Sequence, residues 1–108
     1  MVIRDFKKGE TLHFSLAYDG EDLTGVVFDL VFRSDLTAAT NDLEFQTTAG
    51  DHANDDPTNG YVEIEVPATS TDTLAVGQYY YQLSSTISGV IDVIAPVGCV
   101  DTVYVCQN

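Results

Sequence analysis

The sequence predicts an all-β protein, a sandwich of seven to eight short strands forming one domain over residues 1–108. Three observations predict it. Apolar and polar residues alternate with period two over most of the chain, which is the signature of half-buried strands. Pairs such as Lys8-Gly9, Asp19-Gly20, Asn59-Gly60 and Ser88-Gly89 punctuate these runs at turn spacing. The apolar residues lean to Val, Ile, Leu, Phe and Tyr and are accompanied by much Thr, types that fit a pleated sheet. At 108 residues the chain can bury about two-thirds of its unfolded surface, enough for one core. A small closed barrel is the other architecture that this strand count allows.

The elements follow in order. A first strand is expected at about 2–6, before the turn at Lys8-Gly9. Leu12, Phe14, Leu16 and Tyr18 alternate with His13, Ser15 and Ala17, giving a strand over 11–18 that Asp19-Gly20 ends. Gly25 opens the next, 25–33, where Val26, Phe28, Leu30 and Phe32 alternate with Val27, Asp29, Val31 and Arg33. A strand over 42–48 precedes a long polar stretch, Thr48–Asn59, the least ordered candidate. Val62, Ile64 and Val66 alternate with Tyr61, Glu63 and Glu65 in a strand over 60–66, and Pro67 ends it because proline cannot donate to a ladder. One helical turn fits Thr69–Leu74, with Ser70 or Thr71 as cap. Tyr79, Tyr81 and Leu83 mark a strand over 77–87, and Ser88-Gly89 turns it into a partner at 90–95. A closing strand over 99–105 completes the set.

Charge narrows the function. Seventeen Asp+Glu oppose four Lys+Arg, for a net charge of −13. Binding to nucleic acid is driven by cationic groups that release counterions, so no nucleic-acid partner is expected, and an anionic membrane is excluded in the same way. Such a chain repels itself in dilute salt and is relieved at high salt. Two readings follow, a salt-adapted protein from a halophilic host or its virus, or a highly soluble acidic surface protein. No stretch has the length of a signal peptide or a membrane span, so synthesis in the cytosol is expected.

No set of residues reads as a catalytic centre. His13 and Ser15 share one face of a strand about 7 Å apart, without a third orienting group. Glu63 and Glu65 share another face and resemble a glycosidase pair in composition, but a convex sheet offers no pocket. Asp51, His52, Asn54, Asp55 and Asp56 crowd the long loop. Asp51, Asp55 and Asp56 are the weak candidates for Ca²⁺, and their spacing matches no EF-hand loop, so no metal and no cofactor are expected. Cys99 and Cys106 lie about 23 Å apart along one strand, too far for a disulfide, and should be free thiols.

Leu74-Ala75-Val76-Gly77-Gln78-Tyr79 has the form Leu-x-x-Gly-x-Tyr. In Ig-like sandwiches a tyrosine at this corner bonds its hydroxyl to backbone a few residues upstream, and Tyr79 is the candidate. The wider series is Phe6-Lys7-Lys8-Gly9-Glu10-Thr11, Asp19-Gly20, Leu23-Thr24-Gly25, Gly60, the Leu74–Tyr81 corner, Gly89 and Gly98. It resembles the small Ig-like modules of tailed-bacteriophage virions, such as those at the N-terminus of baseplate and receptor-binding subunits. The resemblance implies an Ig-like antiparallel β-sandwich and a non-enzymatic structural role in the virion. A capsid-decorating or head or tail accessory subunit is the first reading. It would bind other virion proteins and copies of itself. The alternative is a module that binds carbohydrate or a receptor, with Tyr61, Tyr80 and the acidic loop as its tools. In an Ig-like sandwich Val27, Val31 and Tyr80 share the outer face of one sheet, and they are the expected interface, interrupted by Asp29 and Gln82.

Overall fold

The computed structural model describes residues 3–18, 20–37, 40–52, 55–87, 90–95 and 101–107, with the backbone path alone for 87 and 90–95. Eight strands are present among them: β1 (Phe6–Lys7), β2 (Leu12–Ala17), β3 (Val27–Arg33), β4 (Leu43–Thr48), β5 (Tyr61–Val66), β6 (Gly77–Ile87), β7 (Val90–Ala95) and β8 (Asp101–Cys106). A single helical turn, α1 (Ala68–Thr71), links β5 to β6. Asp19, Asn54, Ser88-Gly89, Gly98 and Cys99 lie outside the described residues, although Ile87 stands opposite Val90 across an antiparallel ladder. Among the described residues no helix is long and apolar enough to cross a membrane.

The main sheet runs β1-β8-β6-β3-β4, and β2 pairs with β5 in a second sheet. β8 lies against Gly77–Tyr81 of β6, and β7 takes the following stretch, Leu83–Ile87, beyond an irregularity at Leu83/Ser84. Among the described residues no ladder joins the two sheets, so they do not close into a barrel. The wholly antiparallel pattern needs one correction, since β1 runs parallel to β8. The cause is the turn after Lys7: Gly9, at φ 80°, carries the chain away to the other sheet, so β1 cannot pair with its neighbour β2. β1 is also shorter than expected, because the Ile3 N–H donates to the Tyr81 hydroxyl at 2.9 Å instead of joining a ladder.

Inward residues of both sheets form one buried cluster. Leu12, Leu16, Val62, Ile64 and Val66 come from β2 and β5, and Phe28, Leu30, Phe32, Tyr81, Leu83, Val103 and Val105 from the main sheet. Each such side chain contributes roughly 1.5–3 kcal/mol by leaving water. Phe32 has no exposed surface and meets the edge of Phe6 with ring centroids 5.9 Å apart. β1 therefore closes one end of the core despite its two residues.

The connection between β5 and β6 differs from the expected cap. Pro67 precedes α1, no side chain caps it, and Thr71 is its last residue. The buried Thr71 hydroxyl instead donates to the Glu10 carbonyl at 2.7 Å, and Lys8 Nζ donates to the Leu74 carbonyl at 3.0 Å. Those bonds tie the crossover to the turn between β1 and β2. Beyond it the Tyr79 hydroxyl donates to the Ala75 carbonyl at 2.8 Å, holding the chain as it enters β6. Burial, with Asp42 nearby, raises the Tyr79 hydroxyl above the ordinary tyrosine range, against the effect of that bond.

Candidate functional site, the outer face of the main sheet

β3 and β6 are adjacent and antiparallel, so their outward residues form a common surface. Val27 faces Thr86, Asp29 faces Ser84, Val31 faces Gln82 and Arg33 faces Tyr80. On the far side of β3, β4 adds Thr48, Gln46 and Glu44 opposite Val27, Asp29 and Val31. On the far side of β6, Thr102 stands opposite Tyr80 and Tyr104 opposite Gln78.

Val31 and Tyr80 come together here. With Leu36, Arg33 and Gln82 they line a hollow of about 160 Å³. Val27 lies four residues from Val31 along β3, with Asp29 between them on the same face. All three expected interface residues are half-buried, because neighbouring side chains on the sheet cover part of each. The larger exposed apolar surfaces belong to Leu36, 48% exposed, and Tyr104, 46% exposed. Sequence reasoning missed both. The outward phase of Tyr104 is readable from the inward Val103 and Val105. Leu36 sits in the turn after β3, outside any alternation.

Asp29 is more than an interruption. Its Oδ1 is buried and has no hydrogen-bond partner. Burial raises its pKa from 3.8 to about 6, the Glu44 carboxylate adds to the rise, and Gln46 opposes it. The partly buried Asp29 carboxylate thus lies beside the hollow with the exposed Glu44 carboxylate next to it, and both its burial and that neighbour disfavour its ionisation.

The remaining candidates have local partners. Asp55 accepts from the N–H groups of Gly50 at 2.8 Å, His52 at 3.3 Å and Glu63 at 2.7 Å. Asp51 accepts from the Thr48 N–H at 3.0 Å, and Asp56 from the Asn59 side chain at 2.8 Å. The acidic loop uses these carboxylates to hold its own backbone and the edge of β5. Among the described residues no group of three or more His, Cys, Asp or Glu is arranged to hold a metal ion. On the second sheet Ser15 faces Glu63 and His13 faces Glu65. His13 Nε2 approaches Glu63 Oε2 to 3.6 Å, and the Tyr61 hydroxyl donates to Glu63 Oε1 at 3.1 Å. The Glu63 side chain is therefore only 13% exposed, more covered than a solubilising charge would be. Cys106 is a half-buried free thiol.

No family model, curated protein or solved structure matches the chain.

Proposed function

We propose that the chain is a non-enzymatic Ig-like module of a tailed-virus particle, most closely a capsid-decorating or head or tail accessory subunit. It docks on other virion proteins through the outer face of the main sheet. The convergence of Val31, Tyr80 and Leu36 on one hollow carries the docking reading. Apolar groups gathered around a depression are what an interaction surface offers a partner's anchoring side chain.

The Ig-like assignment draws on topology. β2 and β5 correspond to the B and E strands of such sandwiches, and β3, β6 and β7/β8 to C, F and G. The bond from Tyr79 to Ala75 has the form of a tyrosine corner at the start of the F strand. The virion role rests on the motif series from Phe6 to Gly98, and the acidic composition supports a virus of a halophilic host.

Replacing Val27 and Tyr80 together by Asp tests the docking face. The double variant should remain folded and lose its place in purified particles, as read by peptide mass spectrometry and sedimentation. Unchanged incorporation rules out the face. Absence of the wild-type chain from particles, together with strictly monomeric sedimentation, rules out the structural role.

A further inference from the structure

We propose that the docking face receives a basic protein, with a Lys or Arg side chain seated over the Asp29–Glu44 carboxylates beside an apolar side chain in the Val31–Leu36–Tyr80 hollow. This rests on the docking reading above and adds the chemistry of the partner.

Two features of different kind adjoin here. Val31 walls the hollow and also stands directly opposite Glu44 on β4. Asp29 is two residues away on β3, about 7 Å along the strand. An apolar and a basic residue at alternate positions of an extended segment would span both features. Glu44 is exposed, and Asp29 keeps one oxygen without a hydrogen-bond partner. Asp29 is partly desolvated beside the exposed Glu44 carboxylate, and a cation laid over the pair replaces their repulsion with charge-assisted bonds at their accessible oxygens. The raised pKa of Asp29 has the same origin, a charge that its surroundings solvate poorly.

The cation is better supplied by a different protein than by a second copy. The chain holds four Lys+Arg against seventeen acids. Arg4 pairs with Glu10 at 2.9 Å, Arg33 is bonded to Asn41, and Lys8 is held by the carbonyls of Asp72 and Leu74. Lys7 on β1 is left, on a molecule of net charge −13 that repels its own kind.

The experiment titrates the isotope-labelled full chain with blocked Leu-Thr-Lys, Leu-Thr-Gln and Leu-Thr-Glu peptides at about 0.15 M salt, read by amide chemical shifts. The Lys peptide should give saturable shifts centred on Asp29, Val31, Leu36, Glu44 and Tyr80. The Gln peptide should bind about tenfold more weakly, equivalent to about 1.4 kcal/mol, and the Glu peptide should not bind. Asp29→Asn with Glu44→Gln should erase the preference for Lys while leaving the circular dichroism spectrum unchanged. Equal binding of all three peptides, shifts centred on the loop of Asp51 and Asp55, or a preference that survives in the double variant each overturns the proposal. In particles, loss of the Val27→Asp/Tyr80→Asp chain with retention of the Asp29→Asn/Glu44→Gln chain would keep the docking face and overturn the basic partner alone. Self-association that Lys7→Glu abolishes would assign the cation to a second copy and also overturn it.

Discussion

Replacing Asp29 by Asn should stabilise the protein at neutral pH and do little in acid. Asp29 faces Gln46 and, one step along, Glu44 on β4; on β6 it faces Ser84. Among these described neighbours Glu44 is the titratable group. The folded pKa is raised to about 6 from 3.8, so between those values the native state holds a proton that the unfolded chain has released. Stability on this account is greatest below about pH 4, falls as pH rises through the window, and is lowest above about pH 6. The gap of about two pH units corresponds to at most about 3 kcal/mol. Asp29 is only partly buried, so solvent screening reduces the interaction to about 1 kcal/mol. Asn keeps the shape, carries no charge to desolvate, and can donate to Glu44. At pH 7 the variant should therefore melt roughly 4–8 °C above the wild type. Thermal unfolding followed by circular dichroism from pH 4 to pH 8 measures the difference. Repulsion from the rest of the acidic chain acts on both proteins and largely cancels. A variant no more stable than wild type at pH 7, or a difference that does not shrink toward pH 4, would refute the reasoning.

Three further outcomes are expected. Tyr79→Phe keeps the ring but removes the donor to the Ala75 carbonyl, which should cost about 0.5–1.5 kcal/mol, seen as a lower urea midpoint at unchanged slope. An unaltered midpoint would show that the corner bond is not stabilising. Gly60→Ala should cost about 3 kcal/mol or more, because Gly60 has φ 81° and an added Cβ would lie 1.8 Å from the Tyr18 carbonyl oxygen. Hydrogen exchange at Tyr18, whose N–H donates to the Gly60 carbonyl at 2.8 Å, should accelerate with it, and continued protection there would contradict the account. Raising salt from dilute buffer to molar concentration should raise the melting temperature, since the screening length falls to about 3 Å and the self-repulsion of a net charge of −13 is suppressed. A flat melting temperature across that range would remove the salt-adapted reading.

What could be read from the sequence, and what could not, divides along the range of the interactions involved. β3, β5 and β6 were legible because burying one sheet face imposes period two on every residue, as Phe28, Leu30 and Phe32 or Val62, Ile64 and Val66 show. The bond from the Tyr79 hydroxyl to the Ala75 carbonyl was legible because its glycine, its tyrosine and its acceptor lie within one short stretch. The parallel pairing of β1 with β8 was not, since Phe6 meets Val105 only after the whole chain has folded between them. The partners of Asp55 were hidden for a related reason. Its carboxylate type suits a hard cation although the loop spacing speaks against one, and the N–H of Glu63 reaches it only once the loop returns to the edge of β5. The candidate site shows both regimes at once. The outward phases of Val31 and Tyr80 follow from alternation, whereas Leu36 joins them through a turn that has no period. Asp29 looked like a break in an apolar patch because its effect depends on Glu44, and that neighbour is set by the β3–β4 register. A polar residue in the middle of an outward apolar row is therefore incompletely read on its own strand. Its cross-strand neighbour decides whether it breaks an interface or selects the charge of the partner that can use it.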